Sequence, residues 1–115
     1  MITKMPSLKP NKMLVKFELP SSIWAETVHL VGDFNGWDQR SHAMMRDRAD
    51  GTWYVVVELD LGREYQFRYL VNGSEWHNDW NADDYVANSF GGANSVVSTI
   101  LHPPDMQRDG GAEGG

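Results

Sequence analysis

Trp53-Tyr54-Val55-Val56-Val57-Glu58-Leu59-Asp60, followed by Leu61-Gly62-Arg63 and then Glu64-Tyr65-Gln66-Phe67-Arg68-Tyr69-Leu70-Val71-Asn72-Gly73, is the stretch that decides the fold. In its first half Trp53, Val55, Val57 and Leu59 alternate with Tyr54, Val56 and Glu58. In its second half Tyr65, Phe67, Tyr69 and Val71 alternate with Glu64, Gln66 and Arg68. A period of two places successive side chains on opposite faces, which is the pattern of a half-buried strand and not of a helix. Asp60-Leu61-Gly62 reverses the chain between the two strands, and Asn72-Gly73 is a two-residue turn signal of the φ > 0 kind.

The same period extends outward. Met13, Val15, Phe17 and Leu19 alternate with Leu14, Lys16 and Glu18 until Pro20-Ser21-Ser22 ends the run. Val28 and Leu30 flank His29, and Val96, Ser98 and Ile100 alternate with Val97, Thr99 and Leu101. No stretch reads as a helix. Residues 38–50 and 78–94 read as loops, with a short strand around Met44–Met45. Six to eight short strands in so short a chain give an all-β fold, an antiparallel β-sandwich. Its expected core faces are Val15, Phe17, Val28, Leu30, Trp53, Val55, Val57, Tyr65, Phe67, Tyr69, Val71 and Val96. Residues 1–10 read as a flexible N-terminal segment, 11–102 as the folded domain, and 103–115 as a disordered Gly-rich tail too polar to offset the entropy of ordering it.

Composition narrows the function. The 115 residues carry ten Lys+Arg against sixteen Asp+Glu, a net charge of −6, and no Cys. A chain of this size can bury about two-thirds of its surface, so it needs no staples. Cys-based metal sites and disulfides are excluded. An acidic chain with no basic run is a poor partner for nucleic acid or an anionic membrane, and no apolar stretch is long enough to span a bilayer. The start shows no signal peptide, so a cytoplasmic address is expected.

Catalytic and metal chemistry find little support. No G-x-S-x-G occurs, and His29, His42, His77 and His102 are scattered. Asp33-Phe34-Asn35-Gly36-Trp37-Asp38 lacks the ligand spacing of a calcium loop, and its Asn-Gly is better read as a turn. Asp79, Asp83 and Asp84 read as solvated loop carboxylates. Asp33 and Asp79 could converge as a glycosidase pair, but a bare sandwich gives little depth for that cleft. No metal, cofactor or catalytic residue is expected.

The five Trp are the unusual feature. Trp53 opens a core face, and Trp24 is expected to cap one end of the core. Trp37 follows Asn35-Gly36 directly and Trp76 follows the Asn72-Gly73 turn by three residues, so neither belongs to an apolar face. A displayed indole suits a sugar ring, whose C–H face is apolar and whose rim is hydroxyl. Arg68, on the polar face of the strand leading into the second turn, is placed to serve those hydroxyls.

Four blocks then carry a resemblance. Val31-Gly32-Asp33-Phe34-Asn35-Gly36-Trp37, Tyr65-Gln66-Phe67-Arg68-Tyr69-Leu70-Val71-Asn72-Gly73, Trp76, and Asn88-Ser89-Phe90-Gly91-Gly92-Ala93-Asn94-Ser95-Val96-Val97 occur in order, with family-like spacing. They resemble carbohydrate-binding module family 48, the glycogen- and starch-binding domain of the AMP-activated protein kinase β subunit. The same module precedes the catalytic barrel of isoamylases and branching enzymes. The resemblance implies an immunoglobulin-like β-sandwich that binds α-1,4-linked glucans without catalysis. By position it implies stacking by Trp37 and Trp76, hydroxyl binding by Arg68 (where the kinase-type modules have Lys) and by Asn94, and a ring contact by Phe90 (where they have Leu).

There are departures. Gly92 stands where those modules have a hydrogen-bonding Thr, and Asp79-Trp80 where they have Asp-Pro, which leaves Trp80 as an added subsite or as packing. Asn78-Asp79-Trp80-Asn81-Ala82-Asp83-Asp84-Tyr85 resembles bacterial stand-alone members more than the kinase subunit. The chain ends without that subunit's docking region, so a kinase scaffold is not expected. The expected partner is an α-glucan. The alternative is a structural or protein-interaction module, with a protein partner in glucan metabolism and no sugar binding of its own.

Overall fold

The computed structural model describes residues 1–101; the tail expected over 103–115, and His102, lie outside the described residues. Among the described residues nine strands form two antiparallel sheets. They are β1 (Ile2–Pro6), β2 (Lys12–Leu19), β3 (Val28–Gly32), β4 (Met45–Arg46), β5 (Trp53–Asp60), β6 (Glu64–Val71), β7 (Glu75–His77), β8 (Asp84–Ala87) and β9 (Ala93–Ser98). The first sheet has the order β1-β2-β5-β4 and the second β3-β6-β9-β8, with β7 also paired to β6. No described helix is long and apolar enough to cross a membrane.

β6 is the hub of the second sheet. β3 runs along one side of it, from Gly32 opposite Phe67 to Val28 opposite Val71. β9 and β7 share the other side, β9 against Glu64–Phe67 and β7 against Tyr69–Val71. The period-two reading of 53–71 is realised in this way. Val15, Phe17, Leu19, Trp53, Val57 and Leu59 of the first sheet meet Val28, Leu30, Tyr65, Phe67, Tyr69 and Val71 of the second in one buried cluster. Phe67 packs edge-on against Phe17 at 5.0 Å and Tyr69 at 5.7 Å between centroids, the aromatic geometry that ring quadrupoles favour. Val55 is half-buried at the margin of this cluster.

Several expectations are corrected. The segment 1–10 is not loose: Ile2–Pro6 pairs with β2 in full register, Ile2 opposite Phe17 and Pro6 opposite Met13. Its order comes from a backbone ladder, to which apolar composition gives no clue, and from Ile2, which packs against the core. In β9 the parity is shifted by one. Val97 joins the core, flanked by the buried hydroxyls of Ser95 and Thr99, while Val96 is buried on the opposite, outer face. Thr99 Oγ1 donates to the Asp60 carbonyl at 2.6 Å, and Ser95 Oγ donates to Asn78 Oδ1 at 2.9 Å. Polar residues satisfied in this way disguise an inward face. Trp24 does not cap the core, for it is 88% exposed; Ile23 and Ala25 on either side of it pack inward instead. Finally, 78–94 is not all loop, since it contains β8, whose side chains are all exposed.

Asp79, expected in solvent, is buried. Its Oδ2 accepts from the Tyr69 hydroxyl at 2.6 Å and from the Met1 amino nitrogen, and its Oδ1 accepts from Asn81 N at 2.8 Å. Its own N–H donates to Ser95 Oγ at 2.9 Å. A buried charge is tolerable only with such a full set of partners.

Burial, and then the Asp79 charge, raise the Tyr69 hydroxyl well above its ordinary 10. A group whose folded pKa is raised contributes stability that is complete below its unfolded pKa and is lost as pH climbs towards the folded value. Tyr69→Phe is expected to cost about 1–3 kcal/mol at neutral pH, because Asp79 loses a buried donor. Above pH ~10 the wild type should lose melting temperature more steeply than the variant, a comparison that thermal unfolding between neutral and alkaline buffers checks.

Candidate functional site

The outer face of the second sheet is built by the residues of β6 that point away from the core. Gln66, Arg68 and Leu70 alternate with the buried Tyr65, Phe67 and Tyr69. The Asn72-Gly73 hairpin, with φ of 54° and 74°, folds β7 back so that Trp76 lies opposite Leu70. Asn and Gly are the residues that tolerate this left-handed pair. The Arg68 guanidinium carbon then sits 5.8 Å from the Trp76 ring centroid, a cation–π contact that orients both groups. Arg68 has no carboxylate partner among the described residues, and its buried Nε has no hydrogen-bond acceptor there.

Trp37 arrives from the other side. After β3 the chain makes a single 3₁₀ turn, Asp33–Asn35, then two left-handed residues, Gly36 at φ 66° and Trp37 at φ 61°. Left-handed backbone is costly for an indole-bearing residue and needs support from its surroundings. That support is visible. Trp37 N donates to the Gly32 carbonyl at 2.8 Å. Asn35 Oδ1 accepts from Gly32 N at 3.1 Å, and its Nδ2 donates to the Leu30 carbonyl at 3.0 Å. The Asp33 carboxylate spans the gap to β6: Oδ1 accepts from Trp37 Nε1 at 2.9 Å, and Oδ2 accepts from Gln66 N at 2.7 Å.

The third wall is the β8–β9 loop. Asn88 Oδ1 accepts from Phe90 N at 2.9 Å and from Gly92 N at 3.1 Å, and Asn88 N donates to the Gly92 carbonyl at 2.9 Å. The loop so closed presents Phe90 outward, 93% exposed. Asn88 Nδ2 donates to Asn94 Oδ1 at 3.3 Å, and Asn94 Nδ2 donates to Gln66 Oε1 at 3.0 Å. Side-chain bonds thus run from the Phe90 loop through Asn94 to Gln66, whose own N–H is held by the carboxylate that holds Trp37.

Trp37, Arg68, Trp76, Phe90 and Asn94, the five residues singled out in the sequence, all line one open groove of about 510 Å³. Asn88 and Ser89 complete it. The sequence reading missed Asn88 as an anchor and Asp33 and Gln66 as supports. Asn88 left a readable trace, an Asn two residues before Phe90 and four before Gly92, which is an Asx-turn pattern. Asp33 left none, because its partners are distant in sequence. Trp24 and Trp80, 88% and 70% exposed, lie outside this groove.

Comparison with known proteins fits this description. The family model for carbohydrate-binding module 48, described as the isoamylase N-terminal domain, matches residues 10–86. That span contains Trp37, Arg68 and Trp76 but stops short of Phe90 and Asn94. A 1,4-alpha-glucan branching enzyme of Xanthomonas oryzae pv. oryzae is 32% identical over 89 residues, covering 75% of this chain and 12% of the enzyme. The corresponding enzyme of Butyrivibrio fibrisolvens is 34% identical over 69 residues, 56% of this chain and 10% of the enzyme. That of Myxococcus xanthus is 46% identical over 50 residues, 40% of this chain and 7% of the enzyme. The chain therefore spans about a tenth of the length of these relatives.

Gly32 is fixed by a close approach. A Cβ there would lie 2.6 Å from the Gln66 carbonyl oxygen and 2.8 Å from Phe67 Cβ, on backbone that cannot swing aside. Gly32→Ala should lower stability by about 1–3 kcal/mol, readable as a shifted urea midpoint with an unchanged slope.

Proposed function

This chain belongs to the carbohydrate-binding module 48 family, and on that premise we propose that it binds α-1,4-linked glucans without catalysis, using the groove between Trp37, Trp76 and Phe90. The observation that carries the reading is the convergence of two indoles, a cation and amides on one open face of the sandwich. The indole faces cover the apolar C–H side of successive glucose rings. Arg68 donates to hydroxyls without being diverted by a carboxylate. Asn94 has one amide hydrogen and one lone pair beyond its bonds to Gln66 and Asn88, enough for a donor and an acceptor contact. Phe90, held out by Asn88, presses on a ring from the third side. The relatives named above are 1,4-alpha-glucan branching enzymes, and their printed substrate is the ligand class we carry to this groove.

The energetics suit a module that works by repetition. Each stack removes about 100 Å² of apolar surface, worth about 2–3 kcal/mol. Two stacks and a few hydrogen bonds of about 1 kcal/mol each oppose several kcal/mol of association cost, which leaves a dissociation constant in the micromolar-to-millimolar range. Retention on a branched polymer then comes from many weak engagements rather than from one strong one.

Titration with maltoheptaose should quench Trp fluorescence, and Trp37→Ala or Trp76→Ala should weaken binding about 30- to 150-fold, the loss of one stack. Cellohexaose, a flat ribbon, should not bind. Gly92→Thr has room, since the nearest side-chain atom to a new Cβ is Asn88 Nδ2 at 3.6 Å, and the added hydroxyl should tighten binding several-fold. Absence of quenching by maltoheptaose, with both Ala variants behaving as wild type, would leave the protein-interaction reading in its place.

A further inference from the structure

Trp80 is 70% exposed, yet the loop that carries it is tied by hydrogen bonds on both sides. Just before it, Asp79 is buried and bonded to Tyr69, Ser95 and Asn81. Just after it, the Tyr85 hydroxyl donates to the Asp79 carbonyl at 2.7 Å and accepts from Ala82 N at 3.2 Å. A backbone held on both sides of Trp80 has little freedom left to lose when something stacks on the indole.

It stands over its own groove of about 280 Å³, walled by Met1, Leu19 and Pro20, with Thr52, Asn81 and Glu18 supplying polar groups. No lining residue is shared with the Trp37–Trp76 groove. Leu19 is only 2% exposed and Pro20 is half-buried, so the apolar surface on offer amounts to one indole, the Met1 side chain and part of a proline ring. That is far below the ~800 Å² a protein partner covers on each side, and it matches one sugar ring. The Glu18 carboxylate is paired with Lys16 at 3.6 Å, which leaves the neutral side chains of Thr52 and Asn81 to meet hydroxyls.

We propose that Trp80 is a second, separate glucan-stacking site at the end of the sandwich where β2 stops and β5 starts. A hydroxyl and an amide flank the indole there, in Thr52 and Asn81, as Asn88 and Asn94 flank the indoles of the main groove. The ligand is a neutral pyranose chain, and the site lets one domain touch a branched polymer at two places. This takes its ligand class from the reading of the first groove but not its geometry, and the two can fail independently.

The test follows the indole N–H resonances during titration with maltotriose, in the wild type and in a Trp37→Ala/Trp76→Ala double variant. The Trp80 signal is identified by its loss in Trp80→Ala, whose melting temperature checks that it folds. The signal should shift with millimolar sugar in the double variant, while that of Trp24, more exposed still but lining neither groove, stays still. On an amylopectin gel Trp80→Ala should lose retardation several-fold, with maltoheptaose affinity at the first groove unchanged. A Trp80 resonance that does not move in the double variant overturns the proposal. So does one that moves only with protein concentration, which would make the groove a contact between copies of the chain. A shift at Trp80 with none at Trp37 or Trp76 in the wild type would instead uphold this site and remove the first.

Discussion

Everything on the binding side of this molecule depends on the parity of one strand. β6 sends Tyr65, Phe67, Tyr69 and Val71 into the core and turns Gln66, Arg68 and Leu70 the other way. Because the side-chain period is two, a slip of one residue would bury a guanidinium and expose three aromatic rings. The core therefore sets the register of the outer face. It does so firmly, since Phe67 and Tyr69 are fully buried and pack on each other. The groove has no need of its own hydrophobic interior, because it inherits a rigid floor from the sandwich beneath it.

A second dependence runs through polar groups. Asp79 sits where β7 gives way to β9 along the edge of β6, and its carboxylate, N–H and carbonyl all find partners. Asp33 does the corresponding work at the opposite wall, joining the turn after β3 to the backbone of β6. Both are carboxylates in loops, and both join pieces of chain that no hydrophobic contact would hold in register. Removing either leaves polar groups unpaired rather than merely removing a bond, which is the more expensive loss.

These features account for what the sequence made legible and what it hid. The alternation of Trp53 to Val71 was plain, because apolar side chains mark the inward face wherever the outward one is polar. The five groove residues could be singled out because indoles just after Asn-Gly turns do not fit an apolar face and because their order resembled a family. β1 was hard to see because a backbone ladder, with only Ile2 packing against the core, holds Ile2–Pro6. The parity of β9 misled because Val97 is flanked on the inward side by Ser95 and, just past the strand, Thr99, whose hydroxyls are satisfied internally. Trp24 misled for the opposite reason: an aromatic in a loop was credited with a core position that its smaller neighbours Ile23 and Ala25 fill. Asp79 read as a solvated acid because burial of a charge depends on partners sixteen and ten residues away in Ser95 and Tyr69.

The loop from Asn88 to Gly92 closes on itself, through one side chain and one main-chain pair. Beyond those bonds, Asn88 reaches the rest of the sheet through the amide of Asn94. A segment so self-contained behaves as a replaceable cassette. Its tip residue can be exchanged, or its span redrawn between β8 and β9, without asking the sandwich to repack. Variation in ligand preference, in nature or in a library made by hand, has its cheapest entry point there.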